Sequence, residues 1–246
     1  MNLDPELRDL GDDERAIQDS INRYWDLRAL DYDAYQQRPE RRDLDREVWG
    51  EIWRGALPPA AADVLDLGTG SGHVAMLLAE MGHRVTATDL SEEMLVQARR
   101  HAERLAIPPR FVVGDAVAPD FPDASFDAIT NRYLMWTLRD PKEALTNWRR
   151  LLRPGGVLAV VDAPWFVDGL DANPTEGFTE HYDGQVRTAL PLAEARTIDA
   201  TAAVIEAAGF EQVEVTPLTS VLELDRSYGV APGHDVQLQY LVTARA

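Results

Sequence analysis

Across residues 63–161, short apolar, β-branched runs alternate with helical stretches. The runs fall at 64–67, 84–88, 111–113, 126–130 and 157–161, with helices over 71–81 and 91–105 and another opening at Asp140-Pro141. Strands separated by helices pair through crossover connections, so the series predicts a mainly parallel sheet covered on both faces. The punctuation agrees with the periods. Ser71 and Ser91 can accept orphan helix N–H groups, and Pro141 suits a first helical position. Pro154-Gly155-Gly156 stops the helix carrying Leu151-Leu152.

The flanks read differently. Ile17, Ile21, Tyr24 and Trp25 share one helical face, and Leu44, Val48 and Ile52 another, so two amphipathic helices precede the first strand. Asp31-Tyr32-Asp33 and Arg38-Pro39 interrupt the periodicity between them, and Pro58-Pro59 closes the region. Residues 162–196 lose the alternation and contain Gly169, Asn173-Pro174, Gly177, Gly184 and Pro191, which predicts an irregular lid with one helix near 176–190. A helix over 197–208 and strand-like segments at 210–216 and 234–243 follow, the last two expected as an antiparallel pair. The expected organisation is one domain: a helical cap (1–58), a cofactor-binding core (59–161), the lid (162–196), and a C-terminal helix with a strand pair (197–246).

Composition limits the partners. The 246 residues are 45% hydrophobic, enough for one soluble domain with a sizeable core. Forty-two acids against 24 Lys plus Arg leave a charge of −18, which repels nucleic acid and anionic membrane surfaces. With no cysteine there is no disulfide or thiolate metal site. The start lacks a secretory pattern, and a cytoplasmic location is expected. His83, His101 and His234 are scattered without metal-ligand spacing, so no metal is expected. Asp12-Asp13-Glu14 and Glu40-Arg41-Arg42 read as solvated helix ends, and Trp49, Trp53 and Trp148 as packing.

The richest motif is Val64-Leu65-Asp66-Leu67-Gly68-Thr69-Gly70-Ser71-Gly72-His73, a glycine turn between a buried strand and a helix. Glycine permits φ > 0 and close backbone approach, and a helix start offers free N–H groups. A dinucleotide fingerprint requires glycine where His73 stands, and the Asp66 carboxylate would repel a pyrophosphate while suiting an ammonium or hydroxyls. Asp89 ends the second strand, where a carboxylate can accept both ribose hydroxyls, and Gly114-Asp115-Ala116 follows the third. His73 itself is expected to be exposed and is given no chemistry.

In this order and spacing the motifs resemble the class I, Rossmann-like S-adenosylmethionine-dependent methyltransferases of the small-molecule type. The resemblance includes Thr88-Asp89-Leu90-Ser91-Glu92-Glu93-Met94-Leu95, Phe126-Asp127-Ala128-Ile129 and Leu151-Leu152-Arg153-Pro154-Gly155-Gly156. It implies an α/β, doubly wound, seven-stranded sheet with an antiparallel last strand. It also implies S-adenosylmethionine as cofactor and S-adenosylhomocysteine as product. By position, Asp66, Gly68, Gly70 and Gly72 would line the methionine end. Asp89 and Leu90 fall at the ribose, Met94 on one adenine face, and Gly114, Asp115 and Ala116 at the adenine edge. Asn131 and Arg132 follow the fourth strand, where backbone groups meet the cofactor's amino group and side chains face the substrate. Tyr24, Arg28 and Tyr32 are similar to a cofactor-covering segment, with Arg28 or Tyr32 near the methionine carboxylate. No Asn/Asp-Pro-Pro-Tyr/Phe sequence follows the fourth strand, which points away from base- or glutamine-directed members and toward a small acceptor.

Methyl transfer from a sulfonium needs alignment and water exclusion more than a covalent nucleophile. If the acceptor oxygen or nitrogen must lose a proton, His181 is the first candidate base and Tyr133 a second catalytic candidate. Trp136, Trp165, Phe166 and Tyr182 are candidates for the wall of an aromatic or cationic substrate. The expected partners are that small molecule and a second copy in a homodimer. A non-catalytic S-adenosylmethionine-binding regulator and a nicotinamide oxidoreductase are the alternatives.

Overall fold

The computed structural model describes residues 11–59, 61–106, 108–231 and 235–246. Its centre is a seven-stranded sheet: β1 (Asp63–Leu67), β2 (Arg84–Asp89), β3 (Arg110–Val113), β4 (Phe126–Arg132), β5 (Leu152–Asp162), β6 (Glu211–Pro217) and β7 (Tyr240–Arg245). Their order is β3-β2-β1-β4-β5-β7-β6, with β7 antiparallel to both neighbours and the pairs among the first five parallel. The order reverses between β1 and β4, so their carboxyl ends open a crevice, the usual place for a ligand in such a sheet.

Helices cover both faces. On one lie α2 (Pro39–Ala56), α3 (His73–Glu80) and α9 (Thr219–Tyr228), and Trp49 and Trp53 of α2 pack there against Val64, Ala128 and Val161. On the other lie α5 (Pro141–Leu151) and α8 (Asp199–Ala207), where Trp148 is fully buried with Leu65, Ile129 and Leu158. The Trp148 indole also donates to the Ala116 carbonyl at 2.7 Å, tying α5 to the loop after β3. Losing such a side chain costs about 3–5 kcal/mol.

Helix α4 (Glu92–Ala102) starts as expected, with the Ser91 hydroxyl accepting from the Met94 N–H at 3.1 Å. Ser71 does not cap α3; Gly72, at φ 84°, holds that position with no side-chain cap. Pro154-Gly155-Gly156 lies inside β5, because the helix has already ended at Leu151, and the β4–β5 register shifts there.

Three other expectations are corrected. Helix α1 (Asp12–Gln36) runs unbroken through Asp31-Tyr32-Asp33. Packing on α4 overrides the weak local propensity, with Ser91 donating to Asp26 at 2.6 Å and the His101 ring 2.7 Å from Asp33. The lid region holds two short helices, α6 (Phe178–His181) and α7 (Gly184–Ala189), in place of one. The β6–β7 connection contains α9, and the strand expected from His234 begins at Tyr240; His234 lies outside the described residues. Segment 162–196 packs on α1 through Tyr24, Phe166, Phe178 and Tyr182. No described helix is long and apolar enough to cross a membrane.

Candidate cofactor and substrate site

The crevice holds a cavity of about 180 Å³ roofed by α1, and a recess of about 30 Å³ beside the glycine turn. The turn leaves β1 through Gly68 at φ 62°, and a Cβ there would meet Leu134 Cδ1 at 2.7 Å. A side chain at Gly72 would stand 3.0 Å from Ala98 on α4. Glycine is therefore required both by backbone conformation and by close packing.

Three acids stand at successive strand tips. Asp66 is buried, accepts from the hydroxyls of Thr69 (2.7 Å) and Thr130 (2.8 Å), and faces the small recess. Desolvation pushes its carboxyl up to about 6, against the two hydroxyl donors. Asp89 accepts from the N–H groups of Gly70 (2.8 Å) and Ser91 (2.9 Å), and burial raises it to about 6 as well. Asp115 is buried and clamped by Arg139, which also donates to Gln18 on α1 at 2.6 Å. Asp115 further accepts from the Val117 N–H at 2.8 Å.

The residues expected around the adenosine line the large cavity: Leu90 and Met94, then Gly114, Asp115 and Ala116, with Gly68, Gly70 and Asp89 at its turn side. Tyr32 and Arg132 line both the cavity and the recess. Thr88 and Asn131, at the tips of β2 and β4, keep buried polar side-chain atoms without a partner among the described residues. An acid over a glycine cradle, a second at the next strand tip and unsatisfied polar atoms beside them fit a polar ligand with an amino-acid tail and ribose hydroxyls. Asp66 and the turn would hold the tail, Asp89 the hydroxyls, and Met94 with Asp115 the base.

Several candidates lie elsewhere. His181 is outside the cavity lining: its ring is 6.1 Å from that of Tyr24, and its carbonyl accepts from Ser20 at 2.8 Å. The structure does not bring the expected base to the cavity lining. Tyr24, Phe166 and Tyr182 belong to the aromatic core under segment 162–196, with Tyr182 stacked on Phe178 at 4.5 Å. The Tyr182 hydroxyl is engaged by Trp25 and Thr137, each at 3.1 Å. Arg28 stands 4.0 Å from Asp31 on its own helix, and Gly72 and Asn131 support the turn and the β4 tip without lining the cavity. His73 is partly buried, its Nε2 unpartnered, and desolvation holds it well below the usual imidazole range, so its expected exposure is also corrected.

The far wall was not legible in advance. Arg41, from a charge run read as solvated, is buried against Asp45 (2.8 Å) and Asp225 (2.7 Å) and donates to the Gly229 carbonyl at 2.9 Å. Gln239 donates to Asp225 at 2.8 Å and accepts from the Tyr133 hydroxyl at 2.5 Å. Tyr133 has φ 64°, unusual for a bulky residue, and is held by its N–H bond to Val161 (2.8 Å) and edge packing on Trp165 (4.8 Å). Burial drives its phenol far above the ordinary range, so it is a neutral donor rather than a base. Asp162 accepts from the Ala163 N–H at 2.8 Å and from the Trp165 indole, which fixes Trp165 in the cavity wall. Among the described residues no cluster of His, Asp and Glu could hold a metal.

Residues 65–160 match the methyltransferase domain family. Those residues carry a methyltransferase domain. A demethylmenaquinone methyltransferase of Thermus thermophilus is 40% identical over 111 residues, 44% of this chain and 50% of that protein. The S-adenosyl-L-methionine-dependent Diels-Alderase iliD of Neonectria is 29% identical over 185 residues, 75% of this chain and 72% of that one. The chain thus spans about half the length of the first of these relatives. Among solved structures, phosphoethanolamine N-methyltransferase 2 of Haemonchus contortus superposes at a TM-score of 0.64 with 19% identity, covering 93% of this chain and 60% of that one. This last likeness shows the fold alone.

Proposed function

We propose that this methyltransferase domain binds S-adenosylmethionine and transfers its methyl group to a small-molecule acceptor. The observation that carries the reading is Asp66, an anionic side chain buried over the glycine turn, where an ammonium would be stabilised and a pyrophosphate repelled. Asp89 and Asp115 at the next two strand tips continue the site toward a ribose and an adenine. The cofactor, when bound, supplies an activated methyl on a good leaving group. The protein's own residues hold the acceptor among Trp136, Trp165 and Tyr133, and α1 closes the cavity from above to exclude water. The names of two relatives, a demethylmenaquinone methyltransferase and a ubiquinone/menaquinone biosynthesis C-methyltransferase, support a metabolite as the acceptor. Calorimetry tests the cofactor: S-adenosylhomocysteine should bind in the micromolar range or tighter, and NADH should not. Incubation with radiolabelled-methyl cofactor and metabolite pools then tests the chemistry; bound cofactor with no label transferred to any metabolite would favour the non-catalytic alternative.

A further inference from the structure

Among the described residues three arginines line the cavity, and two of them are spoken for: Arg41 by Asp45 and Asp225, Arg139 by Asp115. Arg132 is different. Its guanidinium lies 5.0 Å over the Trp49 ring and 4.8 Å over the Tyr133 ring, and it has no ion pair or hydrogen bond among the described residues. It stands where the cavity meets the recess of the glycine turn, and its field reaches Asp66, His73, Tyr133 and Asp225. The two carboxylates within its field are committed: Asp225 to Arg41 and Gln239, Asp66 to two hydroxyls.

We propose that Arg132 selects the acceptor: a planar, conjugated molecule bound as an oxyanion, from a carboxylic acid or an acidic phenol or enol. This rests on the cofactor reading above. The guanidinium already covers the Trp49 and Tyr133 faces, so a cationic acceptor placed against them meets repulsion instead of cation–π attraction. What remains open is a planar fork of N–H donors, which matches an oxyanion, beside indole walls that match a flat ring. Among the described residues no histidine lines the cavity, and Tyr133 is committed as a donor to Gln239, so an acceptor that ionises in water fits where an aliphatic alcohol does not. The transfer then balances without a base. The acceptor's proton goes to solvent on binding, its oxygen lone pair forms the new bond to the methyl carbon, and the pair of the broken C–S bond stays on sulfur.

Binding of 2-naphthoate and of 2-naphthylmethylammonium, measured by calorimetry with and without saturating S-adenosylhomocysteine, tests this. The wild type should bind naphthoate at least tenfold more tightly than the ammonium. Arg132→Met should abolish that preference while changing the S-adenosylhomocysteine Kd less than threefold, and Arg132→Lys should restore part of it. Equal or reversed preference in the wild type, no saturable binding of either probe, or preference surviving Arg132→Met would overturn the proposal. So would a variant that spares naphthoate but weakens S-adenosylhomocysteine more than tenfold, which assigns the guanidinium to the cofactor's carboxylate. Failure of the wild type to bind S-adenosylhomocysteine would instead overturn the cofactor reading.

Discussion

Asp66→Asn separates what the site costs the fold from what it gives the ligand. The folded-state carboxyl titrates near 6 against an ordinary 3.8 because burial disfavours its charge. The shift of about two units corresponds to roughly 3 kcal/mol at 1.36 kcal/mol per unit. The sign follows from the raised folded pKa: the folded state holds the proton more tightly than the unfolded chain. This contribution to stability is therefore complete below the unfolded pKa and is lost as pH rises through about 6. At pH 8 the ionised group is a net cost of about 3 kcal/mol, and at pH 5 about half of that. The amide keeps an acceptor for one threonine hydroxyl and a donor for the other, so the variant should be more stable than the wild type at pH 8. The gain should approach 3 kcal/mol, roughly 6–12 °C in Tm for a chain of this size, and shrink by about half at pH 5. The same change removes a charge-assisted bond to the ligand's ammonium, worth about 1.5–3 kcal/mol, so S-adenosylhomocysteine should bind roughly 10- to 150-fold more weakly. Urea unfolding at both pH values and calorimetry provide the readings. A variant that is less stable at pH 8, or that binds the ligand within threefold of wild type, would refute the assignment of a buried anion facing an ammonium.

Three further outcomes are expected. Gly68→Ala forces a Cβ into Leu134 at a left-handed backbone position, and should cost about 1–3 kcal/mol in denaturant unfolding with loss of S-adenosylhomocysteine binding; unchanged binding would show that the turn is not the ligand's cradle. Arg139→Met strands the buried Asp115 carboxylate and should destabilise by about 3–5 kcal/mol, with Arg139→Met/Asp115→Asn recovering most of it. His181→Ala should leave S-adenosylhomocysteine affinity and turnover within about twofold, since the ring lies outside the cavity; a hundredfold loss of turnover would return it to the mechanism.

The parallel core, the glycine turn and the acids at 66, 89 and 115 are legible in the residues alone. Each is written locally: alternating periods report which face of a strand or helix is buried, and a turn residue or strand-tip acid is placed by its immediate neighbours. Long-range packing sets the rest: Arg41 is buried, Arg139 clamps Asp115, His181 stands outside the cavity lining, and α1 runs unbroken over that cavity. Charge runs and lone histidines have no period, and their surroundings come from segments distant in the chain. Tyr133 shows the same division: its place after β4 is legible in sequence, but its left-handed backbone exists because Val161, Trp165 and Gln239 together hold it there.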